Sequence, residues 1–183
     1  ESKLHDADVV GTAATGYSGT KTMTSDFTGT NYRLREAGRG NGIRTFNCSN
    51  TTNYSNTDFT NATANWTTFN PAVDIYATDA HWGAEMTYDY FFLEHGRNSI
   101  DNNGFQLNSY VHYDNNFFNA FWDGQRMTYG DGNNNATPLT AIDIAGHEIT
   151  HGLTTFTANL VYQAESGALN ESFSDIFGNS IER

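Results

Sequence analysis

PLTAIDIAGHEITHGLTTFT, residues 138–157, carries two histidines four positions apart with a glutamate beside the first. Its apolar residues recur at three- and four-residue steps, so the spacing predicts a helix, opened by Pro138 near the first turn. On that helix Asp143, His147 and His151 stand at i, i+4 and i+8 and share one face. Two imidazoles one turn apart can bind one zinc ion and leave tetrahedral positions open. Glu148 is then placed to act on water as a general base rather than to ligate the ion. Taken alone, the HExxH pattern is short enough to arise by chance, and a helix with two surface histidines stays open.

A second helix shifts the balance toward the metal reading. ESGALNESFSDIFGNSIE, residues 165–182, sets Glu171, Asp175 and Glu182 at i, i+4 and i+11, one stripe at about 100° per residue. Leu169, Phe173, Ile176 and Phe177 form an adjacent apolar surface, expected to seat this helix in the core. If the two helices pack antiparallel, His151 and His147 face Glu171 and Asp175, while Asp143 faces Glu182. Asp143 lies ~12 Å from His151, and Glu182 ~16 Å from Glu171, at ~1.5 Å rise per residue. Two cation sites are expected. The inner one takes His147, His151 and Glu171 as zinc ligands, with Asp175 accepting an imidazole N–H. The outer one, Asp143 and Glu182, is oxygen chemistry suited to calcium. A solvated acidic helix face is the ordinary reading of such a stripe, but the matching stripe opposite contains the histidines.

The rest of the chain is consistent with one domain. Its 183 residues suffice for a core, and with 37% hydrophobic but 14% aromatic residues that core should be rich in Phe, Tyr and Trp. A net charge of −12 argues against nucleic acid and anionic membranes as partners. There is no apolar run of about 18 residues that would span a membrane. The opening ESKLHDADVVG lacks a basic n-region and an apolar h-region, so the chain reads as cytosolic or as a processed, secreted form, and Glu1 favours the latter. The single cysteine, Cys48, excludes an intramolecular disulfide and is expected to be buried and inert.

Residues 1–70 read as strand- and loop-rich, with strands in NYRLREA and GIRTF joined in a hairpin through GRGNG. SNTTNYSNTDFTNATANW, residues 49–66, reads as an ordered polar loop. Residues 71–137 supply a helix from Pro71 to a stop at Gly96, a strand in QLNSYVHYD, and a strand, turn and strand in NAFWDGQRMTYGDG. Residues 138–183 are the helix pair. The expected class is α+β: an antiparallel β-rich N-terminal region, then helices, with the HExxH helix packed on the helix carrying the third ligand.

From about Pro71 onward the chain resembles the thermolysin-like family of neutral metalloendopeptidases. The resemblance rests on NAFW (119–122), YGDG (129–132), PLTAIDIAGHE (138–148), HEITH (147–151), and LVYQAESGALNES (160–172) followed by SDIFG (174–178). It implies that His147, His151 and Glu171 hold zinc, that Glu148 activates water, and that Asp175 and Asn170 orient the ligand histidines. It further implies that Tyr162 donates to the oxyanion, and that Asn119 and Ala120 pair with substrate backbone. Leu139 and Ile144 become candidate linings of a pocket for a bulky apolar side chain after the scissile bond. Asp143 and Glu182 fall to a calcium site. Residues 1–183 are read as a single peptidase N-terminal domain without the family's helical C-terminal domain, which would be a separate portion or absent. His81 is expected to be packed rather than catalytic. The function implied is a secreted zinc endopeptidase acting on proteins or peptides. The alternatives are a non-catalytic zinc- and calcium-binding fragment, or an unrelated HExxH hydrolase, which NAFW and Glu171 disfavour.

Overall fold

The structure, a computed structural model, describes residues 7–69, 74–133 and 136–183. His5 and the expected helix start at Pro71 lie outside them. The chain forms β1 (Ala7–Thr15), β2 (Gly19–Phe27), β3 (Tyr32–Arg33), β4 (Arg35–Glu36), β5 (Ile43–Thr51) and β6 (Thr60–Asn61). Helix α1 (Ile75–His95) follows, then β7 (Leu107–Tyr113), β8 (Ala120–Trp122), β9 (Met127–Gly130), α2 (Ile142–Phe156) and α3 (Ala164–Glu182). This is the α+β class, strands first and helices last.

One sheet has the order β1-β2-β3-β6 and is antiparallel throughout. The hairpin of β1 and β2 escaped the sequence reading, because ADVVGTAAT and GTKTMTSDF alternate in Ala, Gly, Thr and Ser rather than in large apolar residues. The second sheet has the order β4-β5-β7-β9-β8. The hairpin through GRGNG is present, with Glu36 opposite Ile43. This sheet is mixed, since β5 pairs parallel to β7 and β7 parallel to β9. Parallel partners need a long crossover, and α1 supplies it between β5 and β7. Strand β8 ends up at the sheet edge, antiparallel to β9.

The polar segment 49–66 is ordered around two aromatic plugs, Phe59 and Trp66, both fully buried. Trp66 is bolted to β1 by Trp66 N–H to Thr12 O (2.7 Å) and Ala14 N–H to Trp66 O (3.0 Å).

Helix α1 is the core element. Asp74 caps it by accepting from Tyr76 N (2.8 Å) and Ala77 N (3.1 Å), and Gly96 ends it in the left-handed conformation at φ 62°. His81 is fully buried, bonded to Thr45 Oγ1 (3.0 Å) and to Thr24 O (3.1 Å), and is packed as expected.

Two features of the helix pair differ from expectation. First, α2 starts at Ile142, not near Pro138. Residues 138–140 are a tethered lead-in: Pro138 O accepts from Tyr17 Oη (2.5 Å), and the buried Thr140 donates to Asp79 (3.5 Å). Second, α3 does not seat through its large apolar residues. Leu169, Phe173 and Ile176 are 46%, 38% and 56% exposed, and only Phe177 of that set packs against the core. The buried stripe is Gly167, Asn170, Ser174, Gly178 and Ile181. Small residues win because the backbones nearly touch. A Cβ at Gly178 would lie 2.6 Å from Asp143 O.

Candidate metal centre and cleft

The glycines that bracket HEITH explain how the site is assembled. A helical glycine costs roughly 1 kcal/mol relative to alanine, so each calls for a packing reason. A Cβ at Gly146 would sit 2.8 Å from Ile181 and 3.2 Å from Gly178, so α3 crosses there. A Cβ at Gly152 would sit 2.9 Å from the Trp122 ring, so β8 crosses there. One side of α2 therefore receives the helix carrying Glu171, and another receives the edge strand.

Between them lies a cavity of about 510 Å³, lined among others by Ala120, Trp122, His147, Glu148, His151, Tyr162, Asn170 and Glu171. His147 Nε2 and His151 Nε2 are 3.1 Å apart. Glu171 places Oε2 at 3.2 Å from the first and Oε1 at 3.5 Å from the second. Among the described residues this is the one set of three ligating side chains, with all ligand atoms within 4.8 Å of one another.

The other ring nitrogens fix the tautomers. His147 Nδ1 donates to Asp175 Oδ1 (2.9 Å), and His151 Nδ1 donates to Asn170 Oδ1 (2.7 Å). Asn170 Nδ2 donates to Leu160 O (3.2 Å), which points its amide oxygen at the ring. Both Nε2 atoms then present lone pairs to each other and to a carboxylate, an arrangement that asks for a cation. Bonds of about 2.0–2.2 Å in a tetrahedron give ligand separations of roughly 3.3–3.6 Å. The 3.5 Å separation falls in that range, and those of 3.1 and 3.2 Å lie just below it, so a small outward shift of the rings and carboxylate seats zinc.

Glu148 shares the cavity, and its Oε2 accepts from the Trp122 backbone N–H at 3.2 Å. Burial raises its pKa. His151 and the Trp122 N–H pull it back, and Glu171 adds to the rise. Tyr162 is 67% exposed, and its phenol donates to Glu171, a bond that raises the phenol pKa.

Strand β8 forms one wall. Asn119 O is taken by Gly130 N–H (3.0 Å), and Asp123 N–H donates to Arg126 O (3.2 Å), so residues 119, 121 and 123 face β9. By alternation Ala120 and Trp122 turn their backbone N–H and C=O outward toward the cleft. Asn119 itself is exposed at the entry to the strand. The remaining sequence candidates stand elsewhere. Leu139 packs against the core. Ile144 lines a smaller cavity of about 250 Å³ on the other side of His147, with Asp143 and Asp175. Glu182 is exposed in the last turn of α3. The contribution of Trp122 was missed as a role, although NAFW already marked its position.

A sequence model of the thermolysin metallopeptidase catalytic domain matches residues 10–155, and one of that family's α-helical domain matches residues 158–183. The chain belongs to the thermolysin metallopeptidase family. By the family's own division, α3 opens the helical domain, although its packing here is against α2. Bacillolysin of Brevibacillus brevis is 46% identical over 165 residues, covering 89% of this chain and 30% of that protein. The transglutaminase-activating metalloprotease of Streptomyces mobaraensis is 43% identical over 177 residues, covering 94% of this chain and 23% of that one. The chain thus spans less than a third of the length of these relatives. Among solved structures, the precursor of protealysin, a metalloproteinase from Serratia proteamaculans, superimposes with a TM-score of 0.68 at 36% identity, covering 76% of this chain and 42% of that one. Membership implies zinc, in agreement with the ligand geometry.

Proposed function

We propose that this chain is the zinc-bearing part of a secreted metalloendopeptidase that hydrolyses peptide bonds in proteins or peptides. The observation that carries this reading is the convergence of His147 Nε2, His151 Nε2 and Glu171 in a cleft that also holds Glu148 and the outward edge of β8. Zinc bound there supplies a Lewis acid beside Glu148.

The chain's own residues do the rest. Asn170 and Asp175 hold the Nδ1 protons and keep both Nε2 lone pairs aimed inward. Trp122 N–H holds the Glu148 carboxylate, which takes a proton from the attacking water and returns it to the leaving amine. Its burial favours that exchange by raising its proton affinity. Tyr162 swings from Glu171 to donate to the carbonyl oxygen as charge develops. An extended peptide adds to β8 through Ala120, with the Asn119 side chain at its flank. The preference for a bulky apolar residue after the scissile bond is proposed on the family resemblance, with Leu139 and Ile144 as lining candidates. Of these, Ile144 shares a cavity lining with His147, while Leu139 packs against the core. Asp143 and Glu182 are proposed as two contributors to a calcium shell, which takes six to eight oxygens in all.

The test is metal analysis with peptide cleavage on the same preparation. One zinc per chain, cleavage lost on chelation, and cleavage lost but zinc kept in Glu148→Ala are expected. Absence of zinc at neutral pH overturns the metal site. Full zinc without cleavage overturns catalysis by this chain and leaves a metal-binding fragment.

A further inference from the structure

The C-terminal ends of β5, β7 and β9 meet in a polar knot some way along the sheet from the zinc ligands. His112, in β7, has a left-handed backbone at φ 55°, as do Ser49, Asn50, Asp114 and Asn116 at 53°, 57°, 58° and 54°. The β5–β7 and β7–β9 registers both break at this level. Residues other than glycine keep such conformations only where their surroundings fix them.

Asp131 does the fixing. One carboxylate oxygen accepts from His112 Nδ1 and the other from Asn50 Nδ2. Asn115 Nδ2 closes the knot on Asn50 O (3.1 Å). The backbone on either side of Asp131 reaches a different segment: Gly130 N–H donates to Asn119 O (3.0 Å) and Gly132 N–H to Phe117 O (3.1 Å). Residues 117–119 lead directly into β8. On its far side His112 Nε2 lies 3.5 Å from Asp74 Oδ2, on the residue that caps α1. The imidazole thus bridges the helix, β7 and the loop that holds the entry to the edge strand.

We propose that His112, held as an imidazolium between Asp131 and Asp74, is a positioning residue that fixes the substrate-binding edge strand β8. This rests on the reading of β8 as the peptide-binding edge. Burial alone pushes the imidazole pKa down, but the two carboxylates override it and raise it to about 9. The charged and titratable groups around the knot among the described residues include Asp74 and Tyr76 at the start of α1, Asp131 after β9, and Asp114 just past β7. The Asp114 carboxylate is taken by Asn115 N–H (2.8 Å), and its backbone oxygen accepts from Asn50 Nδ2 (3.3 Å). The clamp therefore holds through neutral pH and releases above about pH 9.

His112→Asn tests it, because asparagine tolerates the left-handed backbone and carries no charge. Hydrogen exchange of the amides of residues 117–122, corrected for intrinsic rates, is followed in the full chain from about pH 6 to about pH 10. Peptide cleavage and zinc content are measured alongside. In the unsubstituted chain protection should hold and then fall near pH 9. In His112→Asn it should be down roughly tenfold already at neutral pH, with no step near pH 9. KM should rise roughly tenfold while kcat and zinc content stay within about twofold. Asp131→Asn should reproduce the effect, and the double variant should add little to either. Unchanged protection in both single variants overturns the clamp. Lost protection with unchanged KM overturns its role in substrate binding. Should the unsubstituted chain fail to cleave at all, the exchange data still decide the clamp, and only the peptidase reading falls.

Discussion

His151 Nδ1 and Asn170 Oδ1 stand 2.7 Å apart, and the asparagine that makes this bond is 6% exposed and bonded again to Leu160 O. His147 has a partner in the same role, Asp175 at 2.9 Å, but that side chain is 76% exposed. The two imidazoles are held by the same kind of bond in different surroundings. One is locked inside the α2–α3 seam and the other is supported from its rim.

The difference predicts unequal losses of zinc affinity. Asn170→Ala removes the acceptor that holds His151 Nδ1 at 2.7 Å inside the seam, and should weaken zinc binding by roughly 10–100-fold. Asp175→Ala should fall at or below the low end of that range, because water can replace an exposed carboxylate. Competition against a chromophoric chelator measures both. Equal affinities for Asn170→Ala and the unsubstituted chain would mean that the ring is oriented by something other than this bond.

Gly178→Ala should loosen the same seam. Alanine gains up to roughly 1 kcal/mol of helix propensity over glycine. Its Cβ would meet Asp143 O at 2.6 Å and His147 N at 3.1 Å, and backbone cannot step aside as a side chain can. Overpacking costs typically about 1–3 kcal/mol, so the balance should be a net loss. Thermal denaturation should show a midpoint lower by several degrees. A raised midpoint would mean that the helices stand further apart than these contacts require.

The ligand set was legible because helical spacing is local. His147 and His151 on one helix, and Glu171 and Asp175 on the next, fall on stripes by 3.6 residues per turn, and antiparallel packing of the pair is the one further assumption that makes them face each other. The edge strand was legible for a similar reason, since two short alternating runs flank a turn at Asp123–Gly124. What escaped depends on contacts far apart in sequence. The parallel pairing of β5, β7 and β9 is fixed by the crossover of α1, and the bond from His112 to Asp131 exists only once those strands are side by side. The seating of α3 was misread for a different reason. Hydrophobicity marked Leu169, Phe173 and Ile176, but the closeness of the helices selected Gly178, with Ser174 buried in the same stripe, while Gly167 is closed over by the Tyr162 backbone.

That inversion is itself testable. Phe173→Ser touches an exposed face and should change stability by no more than about 0.5 kcal/mol. Ile181→Ala empties the seam beside Gly146 and should cost about 2 kcal/mol or more. Urea denaturation of both variants ranks them. The reverse order would return the core-facing role to the large residues.

A last prediction concerns pH and the ion cluster beneath α1. Arg39 meets Asp89 at 2.8 Å, Glu85 at 3.1 Å and Glu36 at 3.6 Å, and the side chains of Glu85 and Glu36 are each 1% exposed. Burial dominates both acids and, against the pull of Arg39, raises Glu85 to about 8 and Glu36 to about 7. His81, 3.9 Å from Glu85, offers no countercharge, because full burial pushes it down to about 3. An acid with a raised folded pKa binds more protons folded than unfolded, so stability falls as pH rises through the window between the two values. Below about pH 6.5 the buried neutral His81 works in the opposite direction, since the unfolded histidine takes up a proton there. From about pH 6.5 to about pH 8 that opposing effect has only its tail left, because the unfolded histidine is already half deprotonated at its lower end, and the falling contributions dominate. Glu85, Glu36 and the raised His112 all lose stabilisation in that interval. Chemical denaturation should therefore show a lower midpoint at about pH 8 than at about pH 6.5. Glu85→Gln should flatten the slope, because the amide oxygen still accepts from Thr24 N–H and Arg39 but carries no charge to desolvate. A midpoint that rises over this interval would show that Arg39 keeps both buried carboxylates ionised.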